Sequence, residues 1–347
     1  MTISSLFKKA QEAGASDLHL VVGQPPYLRV DGELQVIKDT EELSSAKIKE
    51  IVNDMLSVDQ KKRLEADRGL DLSYAINDAG RFRVNVFYER SNLSLVVRII
   101  SAQVPTMEDV GMPEVVYELM RENRGLVLLT GPTGCGKSTS LAAMVDLINS
   151  ERSAHIVTLE DPIEYLHTNR KSIIVQRELG EDMSSFAEGL RHVLRQDPNV
   201  IMVGEMRDLE TIAAALTLAE TGHLVLATLH TYDAAQTIDR VVDVFPPHQQ
   251  NQIRTQLSMT LKGVISQHLL PAKKGGRVAV REIMINNPAV SNIIRENKAS
   301  QLKSVIQTSA KKGMFTIEQD LKRLVKEDII DEEQADKYLN YSSYNVE

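Results

Sequence analysis

The sequence predicts an α/β protein in two parts: a small α+β unit over residues 1–100, then a mostly parallel, helix-covered sheet with a helical tail over 112–347. Three observations predict it. Before residue 100, apolar residues alternate in short runs broken by turn residues. After Met112, apolar runs of strand length alternate with segments of helical period, the pattern of βαβ units. One of those strands runs into a glycine-rich loop that opens a helix.

In order along the chain, LHLVV (18–22) and YLRV (27–30) read as strands parted by Gly23-Gln24-Pro25-Pro26. A single helix is expected from Ser44 to Glu65, because Ile48, Ile51, Val52, Met55 and Leu56 recur at helical spacing. LDLSYAI, RFRVNVFYE and LSLVVRII read as three more strands, the last two turning around Arg90-Ser91-Asn92. Residues 101–111, with Pro105 and two acidic residues, read as a linker. Strands then follow at 125–130, 155–160, 172–176, 200–204 and 223–229, with helices at 137–149, 185–195, 208–220 and 233–243. A hairpin from VISQHLL to RVAVREIMI turns at Lys274-Gly275-Gly276, and the chain from Pro288 onward reads as helical.

Composition narrows the function. In 347 residues, 42% are apolar and 25% charged, as in a soluble globular protein, and no apolar run reaches the roughly 20 residues a spanning helix needs. The first residues carry two lysines but no apolar stretch of signal-peptide length, so the protein is expected in the cytoplasm, without membrane insertion. Cys135 is the only cysteine, which excludes an intrachain disulfide and a four-cysteine zinc site. A net charge of −8, no Trp and 4% aromatics argue against direct nucleic-acid binding. Any membrane contact is expected to run through a protein partner.

Residues Gly131, Pro132, Thr133, Gly134, Cys135, Gly136, Lys137, Ser138 and Thr139 complete the pattern G-x-x-x-x-G-K-[ST]. Between a strand and a helix, such a loop turns backbone N–H groups toward phosphate oxygens and adds the dipole of the helix N-terminus. Lys137 is expected on the β- and γ-phosphates of ATP and Ser138 on Mg²⁺. Cys135 reads as a small packing residue.

Hydrolysis needs groups that orient water and help hold the metal. Two acidic segments follow apolar strands: Glu160-Asp161-Pro162-Ile163-Glu164, and Glu205 after VIMVG. Carboxyl ends of sheet strands are where ligands of open α/β folds bind, although a solvated loop charge is the bland alternative for either. Gly204 stands where a generic Walker B strand has aspartate. His223 and His230 bracket HLVLATLH; each is either a hydrogen-bonded strand-end residue or, for His230, a γ-phosphate sensor.

Taken in order, these motifs resemble the secretion ATPase superfamily, and within it the pilus retraction ATPases. The likeness spans nearly the whole chain: SDLHL (16–20), GRFRVN (80–85), the phosphate loop, EDPIE (160–164), RQDPNVIMVGEMRD (195–208) and TGHLVLATLHT (221–231). In that family glycine before the Walker B glutamate is usual. The resemblance implies a PAS-like N-terminal domain joined to a RecA-like ATPase domain, assembled as a homo-hexamer that works on an inner-membrane platform protein from the cytoplasmic face. It assigns Glu164 to polarising the attacking water, Glu205 to Mg²⁺ and its waters, and His230 to sensing nucleotide state. Arg81 and Arg83 match arginines thought to reach the nucleotide. The absence of the zinc motif typical of assembly ATPases points to retraction. Residues 289–296, AVSNIIRE, resemble the family's AIRNLIRE with departures at Val290, Ser291 and Ile293.

Overall fold

The two apolar patterns fold into two separate sheets, one antiparallel and one mostly parallel. The structure, a computed structural model, describes residues 2–30, 32–76, 80–100 and 103–344. It divides into two compact units, Met1–Gln103 with Glu164–Leu166, and Val104–Ile163 with His167–Glu347.

The first unit runs α1 (Ile3–Glu12), β1 (Asp17–Leu20), β2 (Tyr27–Val30), β3 (Glu33–Val36), α2 (Ser45–Met55), α3 (Val58–Asp67), β4 (Gly69–Ile76), β5 (Gly80–Glu89) and β6 (Asn92–Ile99). Its strands form an antiparallel sheet in the order β3-β2-β1-β6-β5-β4. Period-2 alternation sends Leu18, Leu20, Phe82, Val84, Val86, Leu95 and Val97 to one face, where Leu6, Phe7, Ile48 and Ile51 cover them. Three features differ from the sequence reading, one of them the short strand β3, which it does not anticipate. The expected helix over 44–65 is two helices, because Ser57 caps a new one: its hydroxyl accepts from Gln60 N–H while the Gln60 side chain returns to the Ser57 N–H. Helix α1, which the sequence reading does not anticipate, packs Phe7 against Phe82 with ring centroids 4.1 Å apart.

The second unit runs α4 (Glu114–Met120), β7 (Gly125–Thr130), α5 (Lys137–Glu151), β8 (His155–Glu160), β9 (Ile173–Glu178), α6 (Phe186–Val193), β10 (Val200–Val203), α7 (Leu209–Glu220), β11 (Leu224–Leu229), α8 (Ala234–Asp243), α9 (Pro247–Thr260), β12 (Leu261–Pro271), β13 (Arg277–Ile285), α10 (Pro288–Arg295), α11 (Leu302–Thr308), α12 (Ile317–Lys326) and α13 (Glu332–Tyr344). The strand order is β13-β12-β7-β11-β10-β8-β9. All neighbours are parallel except the β12–β13 hairpin. β7 and β11 are buried at every position, as inner strands of a sheet covered on both faces should be. Leu126 and Leu128 face one core while Val127 and Leu129 face the other. α9 is absent from the sequence reading; its first turns are almost wholly polar, and only Ile253 and Leu257 mark its apolar side.

Phe7 is fully buried, so Phe7→Ala should remove about 3–5 kcal/mol of stability. Denaturant unfolding checks this, and a loss below about 1 kcal/mol would mean that α1 does not belong to the core.

Candidate functional site

Strands β7, β11, β10 and β8 run parallel, so their carboxyl ends, Thr130, Leu229, Val203 and Glu160, open on one edge of the sheet. Such an edge is where open α/β folds place ligands.

The loop Gly131–Gly136 leaves β7 and enters α5. At Gly131 (φ +143°) a Cβ would lie 2.1 Å from the Gln267 carbonyl oxygen and 2.7 Å from Cys135 Sγ, so only glycine fits. α5 starts after Gly136, which has no side chain to cap it, and the N-terminus of a helix is favourable for an anion. Lys137 Nζ donates to Gly131 O at 2.7 Å and Pro132 O at 3.0 Å. Ser138 sits on the same first turn, half-buried. Cys135 is buried among these groups, and burial pushes its thiol pKa up.

Glu205 follows β10 at the same edge. Its Oε1 accepts from Arg207 Nε at 2.5 Å and lies 2.9 Å from His230 Nε2 at the end of β11. Burial pushes the Glu205 carboxyl up, but the Arg207 hydrogen bond and the charges of His230, Arg207 and Lys137 together hold it below the usual carboxylate range. Gly204 has a steric reason to be glycine: its N–H donates to Leu159 O at 2.7 Å, and a Cβ there would sit 3.2 Å from that same oxygen. The Thr228 hydroxyl on β11 donates to Gly204 O, and Met206 N–H donates to Thr228 O at 3.1 Å. These bonds fix the β10 loop against β11.

The structure therefore brings Lys137, Glu205 and His230 together within the second unit. Glu160 is buried and accepts from the Thr158 hydroxyl at 2.7 Å and from Gln176 Nε2 at 3.0 Å. Glu164 is exposed on the loop after β8 and belongs to the first unit. Arg83, also in the first unit, lies 4.0 Å from Asp71 in an exposed pair; the side chain of Arg81 lies outside the described residues. His223 is a strand-end residue, its Nδ1 3.0 Å from Leu218 O.

Four residues at this edge escape the sequence reading. Arg207 is one; an arginine two places from an acidic strand-end residue was its only signal. The others belong to the hairpin. Gln267 Nε2 donates to Cys135 O at 2.7 Å, while its Oε1 accepts from Ser140 Oγ and Arg281 Nε, both at 2.9 Å. On the opposite face Glu282 Oε1 accepts from Ala234 N–H at 2.9 Å, at the start of the helix that follows His230. Nothing local in the sequence marks these three, since they depend on β12 pairing with β7.

A parallel sheet, a glycine loop feeding a helix and an acidic side chain two strands away define a P-loop nucleotide-binding domain. The chain belongs to the Type II/IV secretion system protein family, which matches residues 1–336. It is 48% identical over 335 residues to the type IV pilus retraction ATPase PilT of Pseudomonas aeruginosa, covering 96% of this chain and 97% of that one. It is 47% identical over 311 residues to the twitching motility protein of Neisseria gonorrhoeae, covering 89% and 83%. A crystal structure of the pilus retraction motor PilT with bound ADP superposes with a TM-score of 0.91 at 46% identity, covering 96% of each chain.

The anchor of the His230 loop should be sensitive to pH. Burial raises the Glu282 pKa to about 7, with Asp233 and Glu318 adding to the rise while the Ala234 N–H and Lys303 oppose it. Between about 4.5 and 7 the folded state then holds a proton that the unfolded chain releases, so this group's contribution to stability falls as pH rises through that window. Glu282→Gln keeps the acceptor for Ala234. It should match the parent's stability at pH 4.5 and exceed it at pH 8 by on the order of 3 kcal/mol. Denaturation midpoints at the two pH values check this; a constant difference would contradict it.

Proposed function

We propose that this chain is an ATP-hydrolysing motor subunit that powers retraction of type IV pili, and with it twitching motility. The observation that carries the reading is the convergence of Lys137, Glu205 and His230 at one sheet edge, in a chain alike over nearly its whole length to a pilus retraction ATPase.

In this reading the N–H groups of residues 131–139 and the Lys137 ammonium hold the phosphates of ATP. The Ser138 hydroxyl and the Glu205 carboxylate are hard oxygen donors, a set that suits Mg²⁺, which takes its remaining ligands from phosphate and water. Bound there, the ion neutralises phosphate charge. Arg207, His230 and Lys137 keep Glu205 ionised, and the His230 ring, in contact with that carboxylate, responds to what Glu205 binds. The exposed Glu164 carboxylate polarises the attacking water. Arg81 and Arg83 bring positive charge to the nucleotide; the 4.0 Å Arg83–Asp71 pair is exposed and loose, so releasing it costs little.

The first unit then serves as a PAS-like domain over 1–100, joined through 101–111 to a RecA-like domain over 112–347. Six copies form a homo-hexamer at the cytoplasmic face, acting on an inner-membrane platform protein. Attachment there runs through protein partners; among the described residues no helix is long and apolar enough to cross a membrane. In the motif 289–296, Val290, Ile293 and Ile294 dock α10, and Ser291 Oγ lies 2.9 Å from both Ser258 O and Asn286 Oδ1. Serine at that position thus makes a local tie where the family has arginine.

Glu164→Gln should leave ATP affinity within a few-fold of the parent and cut hydrolysis about 10²-fold. Cells carrying only this variant should be hyperpiliated and unable to twitch. Bald cells would point to pilus assembly instead, and parental turnover would remove Glu164 from the chemistry.

A further inference from the structure

The hairpin β12–β13 is not part of the phosphate loop, yet it holds the loop's conformation. Gln267 and Arg281 are direct partners across the hairpin, and both are almost fully buried. Oε1 of Gln267 takes two donors, Ser140 Oγ and Arg281 Nε. That leaves the amide NH₂ only one way to point, and it donates to the Cys135 carbonyl. The Arg281 fork is itself immobilised: Nη1 donates to Gly111 O at 2.8 Å and Nη2 to Val110 O at 2.7 Å, and the Arg281 backbone N–H donates to Asp320. Burial lowers the Arg281 pKa to about 10, which still leaves it charged at neutral pH.

The consequence lies in the next peptide. A trans peptide is planar, with its C=O and the following N–H pointing in opposite directions. Pulling Cys135 C=O toward the hairpin therefore turns the Gly136 N–H away from the hairpin. Gly131 and Gly136 confirm how closely the hairpin presses on the loop: a Cβ on Gly136 would lie 3.2 Å from Gln267 Nε2, and one on Gly131 would overlap the Gln267 carbonyl.

We infer that Gln267, oriented by Arg281, is a positioning residue that aims the Gly136 N–H at the phosphates of the nucleotide. This rests on the nucleotide-site reading proposed above. It also gives Arg281 a double attachment within the second unit, to the phosphate loop through Gln267 and to the backbone at Val110–Gly111.

Two substitutions separate aiming from scaffolding. Gln267→Glu keeps the acceptor for Ser140 and Arg281 and replaces only the donor that faces Cys135. A buried ion pair with Arg281 should keep its melting temperature at or near the parent's. Gln267→Met keeps the length but removes the amide without adding charge. ADP affinity, read by titration of a fluorescent ADP analogue, should fall about 10-fold or more in both. Affinity for adenosine, which lacks phosphates, should be unchanged in both. Lys137→Ala serves as the control for the site itself. If Lys137→Ala also binds ADP like the parent, the nucleotide-site reading fails. If it abolishes binding while either folded Gln267 variant binds ADP like the parent, the positioning claim alone is overturned. Loss of the fold in both Gln267 variants would equally overturn it, since the pair would then be holding the domain together rather than aiming the loop.

Discussion

Two strand-end loops of the nucleotide edge meet on one shared carboxylate: Glu205 Oε1, contacted by Arg207 from its own loop and by His230 from the next strand. That sharing is possible only because β10 and β11 pair in parallel with Val203 opposite Ala227, so both chains leave the sheet at the same height. It also needs the chain after Val203 to lie against the end of β8, which a residue at 204 with a Cβ would resist. A one-residue slip of either strand would turn its side chains to the other face. The carboxylate, the imidazole and the register are therefore one constraint seen at three scales.

The hairpin β12–β13 adds a second constraint. Successive residues of a strand point to opposite faces, so Arg281 and Glu282 brace different loops from adjacent positions. Arg281, through Gln267, holds the phosphate loop; Glu282 holds the start of the helix after His230. Ser266, opposite Glu282, accepts from the Thr130 hydroxyl at the last position of β7. The two loops that contact the nucleotide in the proposed function are thus fastened to one rigid element. Beyond that hairpin the chain continues directly into α10.

Much of this was legible in the sequence because it is local. The phosphate loop, its strand and its helix are contiguous, and the inner strands are uniformly apolar because both faces are covered. Glu205 and His230 could be placed at strand ends by counting along apolar runs. Their contact could not, since it depends on which strands are neighbours. The span 44–65 reads as one helix because the apolar spacing runs through Leu56, although the Ser57/Gln60 capping signal is present. α9 was missed for the opposite reason: its burial comes from tertiary packing, and its own sequence is mostly polar. Gln267 and Arg281 stay invisible because what they hold, Cys135 for one and Val110–Gly111 for the other, lies more than a hundred residues away. Gly204 was visible only as a departure from a pattern, and its cause is a neighbouring strand end.

The claim that Glu205 and His230 act as one unit can be measured directly by a double-mutant cycle on ATP turnover. Glu205→Gln, His230→Asn and the double variant would be compared with the parent under saturating ATP. If the carboxylate works through its contact with the imidazole, the double variant should lose no more than about 3-fold beyond the worse single variant. Losses that multiply, each substitution reducing turnover by the same factor whether or not the other is present, would contradict the account.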